Sequence, residues 1–145
     1  MVVVRNGKAG LRTEVEVRGH HFTVDEPVSA GGTDQGPAPY ELLTAALGAC
    51  IAITARLYAR RKGWPLEDVT VKLRHAKVRE PGGDEAGKPV AVDQFQREIV
   101  VTGPLSDEQR ARIIAIASRC PVKLTLERGS RVTPAPPPEV LQPAP

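Results

Sequence analysis

The sequence is poor in aromatic side chains. Of its 145 residues only 3% are aromatic, and these are Phe22, Tyr40, Tyr58, Trp64 and Phe95. A core with so few rings must be built mainly from Ala, Val, Ile and Leu, which fill little volume per residue. This composition favours burial that is shared with a second subunit. It also argues against the ring platforms on which proteins stack nucleic-acid bases.

Charge of one sign is not concentrated in any part of the chain. The net charge is +3, and 20 Lys and Arg are interspersed among 17 Asp and Glu. Such a mixture of charges is typical of an ordinary solvent-exposed surface and not of a nucleic-acid-binding surface. Hydrophobic residues make up 41% and charged residues 26%, which is the composition of a single folded globular domain.

Cysteine and long apolar segments are scarce as well. The chain has two cysteines, Cys50 and Cys120, without a Cys-x-x-Cys motif, and its three histidines complete no zinc-ligand spacing with them. The N-terminus lacks the apolar stretch of a signal peptide. The apolar run 42–53 is shorter than the roughly 20 residues that span a membrane. We therefore expect a cytoplasmic protein with no metal, nucleic-acid or membrane partner.

The N-terminal half predicts a three-stranded antiparallel meander followed by a long helix. Strands are expected at 2–4, which is Val-Val-Val, at 13–18, where apolar and polar residues alternate, and at 21–25. Residues 27–39 form a loop rich in Gly and Pro, and Pro39 suits the first helical position. The helix ends at Gly63. Its core-facing stripe is predicted to be Leu42, Ala46, Ala49/Cys50, Ile53 and Leu57, with Thr44, Arg56 and Arg60 on the other face.

The C-terminal half predicts two strands, at 69–77 and 94–102, joined by a loop over 79–89. A capping box at Ser106 starts a second helix, whose apolar stripe is Ile113, Ile116/Ala117 and Cys120. A short turn follows Pro121, and a last strand is expected at 130–133. The order β-β-β-α-β-β-α-β predicts an α+β fold, with an antiparallel sheet packed on a long central helix. We assign residues 1–133 to this domain and 134–145, half of them proline, to a disordered tail.

The two cysteines admit a structural and a chemical interpretation. A free Cys on an apolar helical stripe often serves as a small buried hydrophobe. However, Cys50 lies in a run of very small residues, 45–49, which leaves room for a pocket, and Cys120 precedes Pro121, where it would cap a new helical turn. Two distant thiols suit peroxide reduction, in which one thiol becomes a sulfenic acid and the other closes a disulfide.

A reactive Cys50 needs a positive charge nearby. A mid-helix position receives no help from the helix dipole, so a guanidinium held by a carboxylate must lower the thiol pKa. Arg5, Arg12 and Arg18 on the N-terminal strands and Glu41 in the first helical turn are the candidates. Glu41 lies nine residues before Cys50, about 13 Å along the axis and on the opposite face. It must therefore act through an Arg or across a subunit boundary, or it only complements the helix dipole.

Three segments resemble the OsmC/Ohr superfamily of osmotically inducible and organic hydroperoxide resistance proteins. They are Gly36–Cys50 (GPAPYELLTAALGAC), Tyr58–Leu66 (YARRKGWPL) and Cys120–Val122 (CPV). Asp25-Glu26-Pro27 with Gly31-Gly32 is similar to a branch of small OsmC-like proteins. The element order agrees, so the resemblance covers about residues 10–133.

The resemblance implies an intertwined homodimer, with two long helices at its centre and the active sites at the subunit interface. It implies that Cys50 is the peroxidatic thiol and Cys120 the resolving one. The activity it implies is reduction of organic hydroperoxides in oxidative-stress defence. The reductant would be a dithiol, either a small molecule or a lipoylated protein, and no metal or organic cofactor is required.

The chain departs from the family pattern at the activating pair. In the family a Glu follows the helix-opening Pro directly, whereas here that position is Tyr40 and the acid comes at Glu41, turned by about 100° around the helix. The loop 28–39 holds no Arg, so Arg12, which follows Gly10-Leu11, is the best candidate for the activating cation. An alternative function is a non-enzymatic dimer that binds an apolar ligand and keeps its cysteines for structure.

Overall fold

A computed structural model describes residues 1–80 and 89–134 of the chain. The described residues form an α+β structure with two antiparallel sheets and three α-helices, which confirms the predicted class. The elements in chain order are β1 (Val2–Asn6), β2 (Thr13–Val17), β3 (His20–Val24), a short 3-10 turn (Val28–Ala30), α1 (Pro39–Lys62), β4 (Asp68–Glu80), β5 (Val90–Thr102), α2 (Asp107–Ala117) and α3 (Pro121–Arg128).

The N-terminal sheet has the strand order β1-β2-β3. Val15 of β2 pairs with both Val4 and Phe22, so apolar residues of all three strands share one face. The turn between β2 and β3 places Arg18 at φ 51° and Gly19 at φ 82°. Two successive positive φ values mark a type I′ hairpin turn, whose twist matches that of the strands. The predicted meander is therefore confirmed.

The second sheet is a long hairpin of β4 and β5, paired from Asp68↔Thr102 to Glu80↔Val90. Val69, Val71 and Leu73 of β4 lie half-buried, while the residues between them are exposed, as the alternation predicts. Both strands run further than predicted, because continuous cross-strand pairing outweighs the weak strand preference of their polar ends. The predicted loop thus shrinks, and its residues 81–88 lie outside the described part of the chain.

Helix α1 begins at Pro39 and ends at Gly63, which adopts the left-handed cap conformation (φ 65°). Its buried face is not the predicted one. Leu47, Ile51, Ala55, Tyr58 and Ala59 face the core formed with β4, α2 and α3.

The stripe predicted to be buried is the outer one. We call Leu42, Ala46, Ala49, Ile53 and Leu57 the outer stripe of α1. All of these but the half-buried Leu42 are exposed, Ile53 and Leu57 by 59% each. The reason is that α1 is apolar on nearly every side, so its periodicity predicts a helix without deciding which face meets the sheet. Arg56, predicted to point outward, is exposed but donates hydrogen bonds to the carbonyls of Leu66 and Glu67, which ties α1 to the start of β4.

By length and composition alone, α1 is long and apolar enough to cross a membrane. The core helix of a globular protein meets the same criterion, and α1 packs against β4, α2 and α3 in this way.

Helices α2 and α3 complete the core. The predicted capping box is confirmed: Ser106 Oγ accepts from the Gln109 amide at 3.2 Å, and the Gln109 side chain accepts from the Ser106 amide at 3.0 Å. Ile113, Ala117 and Cys120 are fully buried, as predicted. Pro121 opens an eight-residue helix rather than a single turn.

The predicted last strand is wrong. Residues 130–133 are exposed and pair with no strand in the described ranges 1–80 and 89–134, so the chain order ends β-β-α-α instead of β-β-α-β. A short alternating segment becomes a strand only when a sheet edge is available to it. Apart from Pro134, the predicted proline-rich tail lies outside the described residues.

Candidate functional site

The two thiols, distant in sequence, are neighbours in the fold. Cys50 lies in the middle of α1 and is half-buried, whereas Cys120 is 0% exposed and occupies the N-cap of α3. Both cysteines are free. Cys50 packs against the buried cluster to which Cys120 belongs, and it lies near enough to influence the pKa of Cys120. The packing of α1 against α2 and α3 creates this arrangement.

The ionisation of Cys120 is opposed by its surroundings. Burial is the largest influence and raises its pKa, and the neighbouring Cys50 raises it further. Two groups act in the opposite direction: the backbone N–H of Lys123 in the first turn of α3, and the positive charge of Arg97. The net result is a pKa above the ordinary value, so the resting Cys120 is a protonated thiol at neutral pH.

Arg97 is the functional candidate that the sequence reasoning missed. It pairs with Leu73 across the hairpin, on the same face of β5 as Phe95 and Ile99. Leu73 in turn packs on α1 beside Gly48: a Cβ at position 48 would lie 2.8 Å from the Leu73 Cδ1 atom. Gly48 thus lets β4 approach α1 closely, half a turn before Cys50. A cation within the apolar face of an alternating strand is the sequence signal that could have identified Arg97.

An open cleft of about 450 Å³ lies between the first half of α1, β5 and α3, and neither cysteine is among the residues that line it. Leu47 and Lys123 line it, each one helical turn from a cysteine. Its walls come from the start of α1, from β5 and from α3, and the remaining lining residues are Tyr40, Leu43, Glu80, Val92, Asp93, Gln94, Phe95, Arg97, Leu126 and Glu127. A chamber of this kind accepts a mainly apolar molecule with a polar end.

Tyr40, at the family's acidic position, belongs to an aromatic cluster on the wall of this cleft. Its ring stacks on His75 with centroids 4.5 Å apart, and Phe95 follows at 4.9 Å from His75. Asp93 accepts from His75 Nε2 and from Lys77 Nζ, both at 2.8 Å. The bond from Lys77, and then that from His75, lowers the pKa of Asp93, while Asp93 raises that of Lys77. This network holds Tyr40 in its place.

Glu41 and Arg12 are engaged elsewhere. Glu41 accepts a hydrogen bond from the Ala38 amide at 2.9 Å and so caps its own helix. Arg12 pairs with Glu14 at 2.8 Å and donates to the Gln35 side chain at 3.1 Å. Within one chain the structure therefore brings neither residue to the thiols. Arg5 and Arg18 lie exposed on the N-terminal sheet. A role for any of them across a subunit boundary stays a prediction.

The loop before α1 is organised around Asp25, which is almost fully buried. Its carboxylate accepts from the amides of Glu26, Thr33 and Gln35 and from the Thr33 hydroxyl at 2.6 Å. The hydroxyl bond, with help from the amides, outweighs burial and lowers the pKa of Asp25 to about 2. The loop also passes very close to β3 at Gly36, because a Cβ at this position would lie 2.3 Å from the Thr23 carbonyl oxygen. The loop thus fixes where α1 begins.

Within residues 1–80 and 89–134, no three His, Cys, Asp or Glu side chains are grouped as a metal site requires.

Comparison with known proteins decides the family. The sequence profile of OsmC-like proteins matches residues 32–135, which is most of the chain. The chain belongs to the OsmC-like family. A search of curated proteins gave no significant match.

Solved structures of OsmC-like proteins share this fold. An OsmC-like protein from Mycoplasma pneumoniae superposes with a TM-score of 0.63 at 21% identity, over 88% of this chain and 86% of that one. The organic hydroperoxide resistance protein OsmC of Legionella pneumophila gives 0.59 at 19% identity, over 86% and 88%. The organic hydroperoxide resistance protein OhrB of Bacillus subtilis gives 0.55 at 22%, again over 86% and 88%. Identities this low establish the fold of this OsmC-like protein and leave its activity to be argued from the site.

Proposed function

We propose that this OsmC-like protein reduces organic hydroperoxides to alcohols with Cys50 as the peroxidatic and Cys120 as the resolving thiol. The observation that carries the proposal is that two free thiols, distant in sequence, meet in one packed cluster, one helical turn from residues that line an open cleft. The Legionella and Bacillus proteins of the same fold, both named for organic hydroperoxide resistance, support it.

The unequal exposure of the two thiols supports their order of reaction. Cys50 is half-buried and accessible, while Cys120 is 0% exposed. The Cys50 thiolate attacks the terminal oxygen of the hydroperoxide, the O–O bond breaks, and the alcohol leaves after taking up a proton. Cys120 then displaces the hydroxyl group of the Cys50 sulfenic acid, giving a disulfide and water. A dithiol reductant, either a small molecule or a lipoyl group on a protein of the cytoplasm, restores both thiols by exchange.

We propose further that the working form is a homodimer. The outer stripe of α1 is apolar and uncovered. The N-terminal sheet has only marginal contact with the other elements, and its apolar face borders a second open cavity of about 680 Å³ that ends at Leu42. Two large uncovered apolar surfaces on one chain are typical of a subunit interface. Such a dimer is also the setting in which Arg12 and Glu41 would act across a subunit boundary.

Thiol titration with one equivalent of an alkyl hydroperoxide tests the peroxidase proposal. We expect two thiols per chain to disappear while one alcohol forms. Cys50→Ser blocks hydroperoxide consumption, whereas Cys120→Ser still consumes it and stops at the Cys50 sulfenic acid. The matching alcohol, in place of the hydroperoxide, serves as the control and leaves both thiols intact. Thiols that stay unreactive towards the hydroperoxide would refute the proposal.

The buried state of Cys120 favours one second candidate function. A fully buried thiol with a raised pKa also suits a structural cysteine, and the cleft would then bind an apolar ligand without chemistry. In that case the hydroperoxide and its alcohol would bind with similar affinity, and Cys50→Ser would leave binding unchanged. Hydroperoxide turnover by the wild type excludes this candidate.

A further inference from the structure

Tyr40 separates two cavities. Its side chain lines the cleft between α1, β5 and α3, and it also lines a second open cavity of about 580 Å³ between α1 and β4. Among the residues that the structure describes, Tyr40 alone belongs to both linings. The second cavity is the more polar of the two in its other lining side chains, which include Glu41, Thr44, Arg74 and His75. The ring of Tyr40 is therefore the partition between an apolar and a polar space.

The ring of Tyr40 is held firmly in this position. It stacks on His75 with 4.5 Å between the ring centroids and 9° between the ring planes. Lys77 Nζ lies over the same ring, 5.4 Å from its centroid. Asp93 accepts hydrogen bonds from both His75 and Lys77, so one carboxylate fixes both neighbours of the ring. Tyr40 is thus a rigid wall although it is 46% exposed.

The place of Tyr40 on α1 relates this wall to the thiols. The residues of α1 that line the cleft are Tyr40, Leu43 and Leu47, which form one stripe of the helix. Leu47 lies one turn before Cys50, whereas Tyr40 lies ten residues before it, about 15 Å along the axis. A hydroperoxide group beside Cys50 directs its organic chain along this stripe. The far end of a long chain therefore meets the Tyr40 ring.

We propose that Tyr40 is a specificity-determining residue that limits the length of the organic chain bound in the cleft. The proposal rests on the proposed function for the orientation of the chain. Each methylene buried in an apolar cleft strengthens binding about fourfold. A chain that already reaches Tyr40 gains nothing from further methylenes, because the ring blocks their path and the space beyond it is polar and open. The preferred substrate is an unbranched alkyl hydroperoxide whose chain ends at this ring.

Binding of unbranched primary alcohols, the products of the proposed reaction, tests this limit without turnover. Calorimetric titration with alcohols of increasing length gives the affinity for each. For the wild type we expect the affinity to rise about fourfold per methylene and then to level off. Tyr40→Ala should continue to rise, so that an alcohol two methylenes beyond the wild-type plateau binds more than about tenfold tighter to this variant than to the wild type. Tyr40→Phe keeps the ring and should level off at the wild-type length.

Leu43→Ala is the matched control on the same stripe. Leu43 lies between Tyr40 and the thiol end of the cleft, so its truncation should weaken the binding of every alcohol that reaches it. The chain length at which the affinity levels off should stay that of the wild type. A change in this length in Tyr40→Ala but not in Leu43→Ala therefore reports on the partition and not on a general loss of packing.

The alcohol series also keeps this inference separate from the proposed function. With alkyl hydroperoxides of the same lengths, kcat/KM should follow the same pattern in each variant. If no hydroperoxide is consumed, the proposed function fails, whereas alcohol binding still reports on Tyr40. The role of Tyr40 is overturned if the wild type binds none of the alcohols, if its affinity never levels off, or if Tyr40→Ala levels off at the wild-type length.

Discussion

Replacing Ile53 and Leu57 together by alanine tests whether the outer stripe of α1 is a subunit interface. Each side chain is 59% exposed in the single chain. Full burial of an Ile or Leu stabilises by about 1.5–3 kcal/mol, so covering the remaining 59% is worth roughly 1–2 kcal/mol each. A two-fold dimer covers four such side chains, in total roughly 4–7 kcal/mol. Truncation to alanine then costs about 4 kcal/mol, which is about a thousandfold in the dimer dissociation constant.

Sedimentation velocity over a range of protein concentrations measures this effect. We expect a wild-type dimer and a double variant that dissociates at concentrations about a thousandfold higher. Val100→Ala is the matched control, because Val100 is also partly exposed but lies on the outer face of β5, and the dimer should tolerate it. The reasoning is refuted if the wild type is a monomer at every concentration, or if the double variant dissociates no more readily than the control.

Two further predictions concern stability. Ile51→Ala should lower the free energy of unfolding by about 2–5 kcal/mol, because Ile51 is 0% exposed at the centre of the core. Val132→Ala, at a 97% exposed position, should change the free energy of unfolding by less than about 0.5 kcal/mol. Denaturant melts measure both effects, and equal effects would contradict the assigned helix face. Asp25 has a folded pKa of about 2 against 3.8 in the unfolded chain, so its stabilisation is complete above pH 3.8 and is lost as the pH falls towards 2. Asp25→Asn should therefore be less stable at neutral pH and lose less stability than the wild type between pH 4 and pH 2, and identical acid melts would disprove this.

Signals that act over a few residues predicted the structure well. The Ser106 capping box and the Gly63 cap both lie where the sequence indicates, and the turn at Arg18-Gly19 falls at the junction of two predicted strands. Each depends on hydrogen bonds or backbone conformations within about five residues, so no tertiary information is needed.

Features that depend on distant partners were harder to predict. The outer stripe of α1 has a good helical period, but the residues that face β4 and α2 are those around Ile51, and only the packing of the chain decides between two apolar faces. The last strand failed for the same reason, since no sheet edge is available to residues 130–133 in the described structure. Arg97 was missed because the search for a cation followed the N-terminal strands instead of the inner face of β5.

In the candidate site, too, some residues were predicted correctly and others were not brought together by the single chain. The chemistry of two thiols singled out Cys50 and Cys120, and the fold brings them into one packed cluster. Glu41 and Arg12 were chosen because a reactive Cys50 needs a guanidinium held by a carboxylate, and the family pattern favoured Arg12 among the N-terminal arginines. In the single chain both residues are occupied by local partners. Their roles depend on a second subunit and stay predictions.

Mapping the disulfide after one equivalent of an alkyl hydroperoxide tests the central claim most directly. The oxidised protein is digested without reduction, and its cross-linked peptides are identified by mass spectrometry while the alcohol is quantified. We predict a Cys50–Cys120 cross-link within one chain and one alcohol per chain. Free thiols with unconsumed hydroperoxide, or cross-links only between chains, would contradict the claim that these two cysteines form a reactive pair.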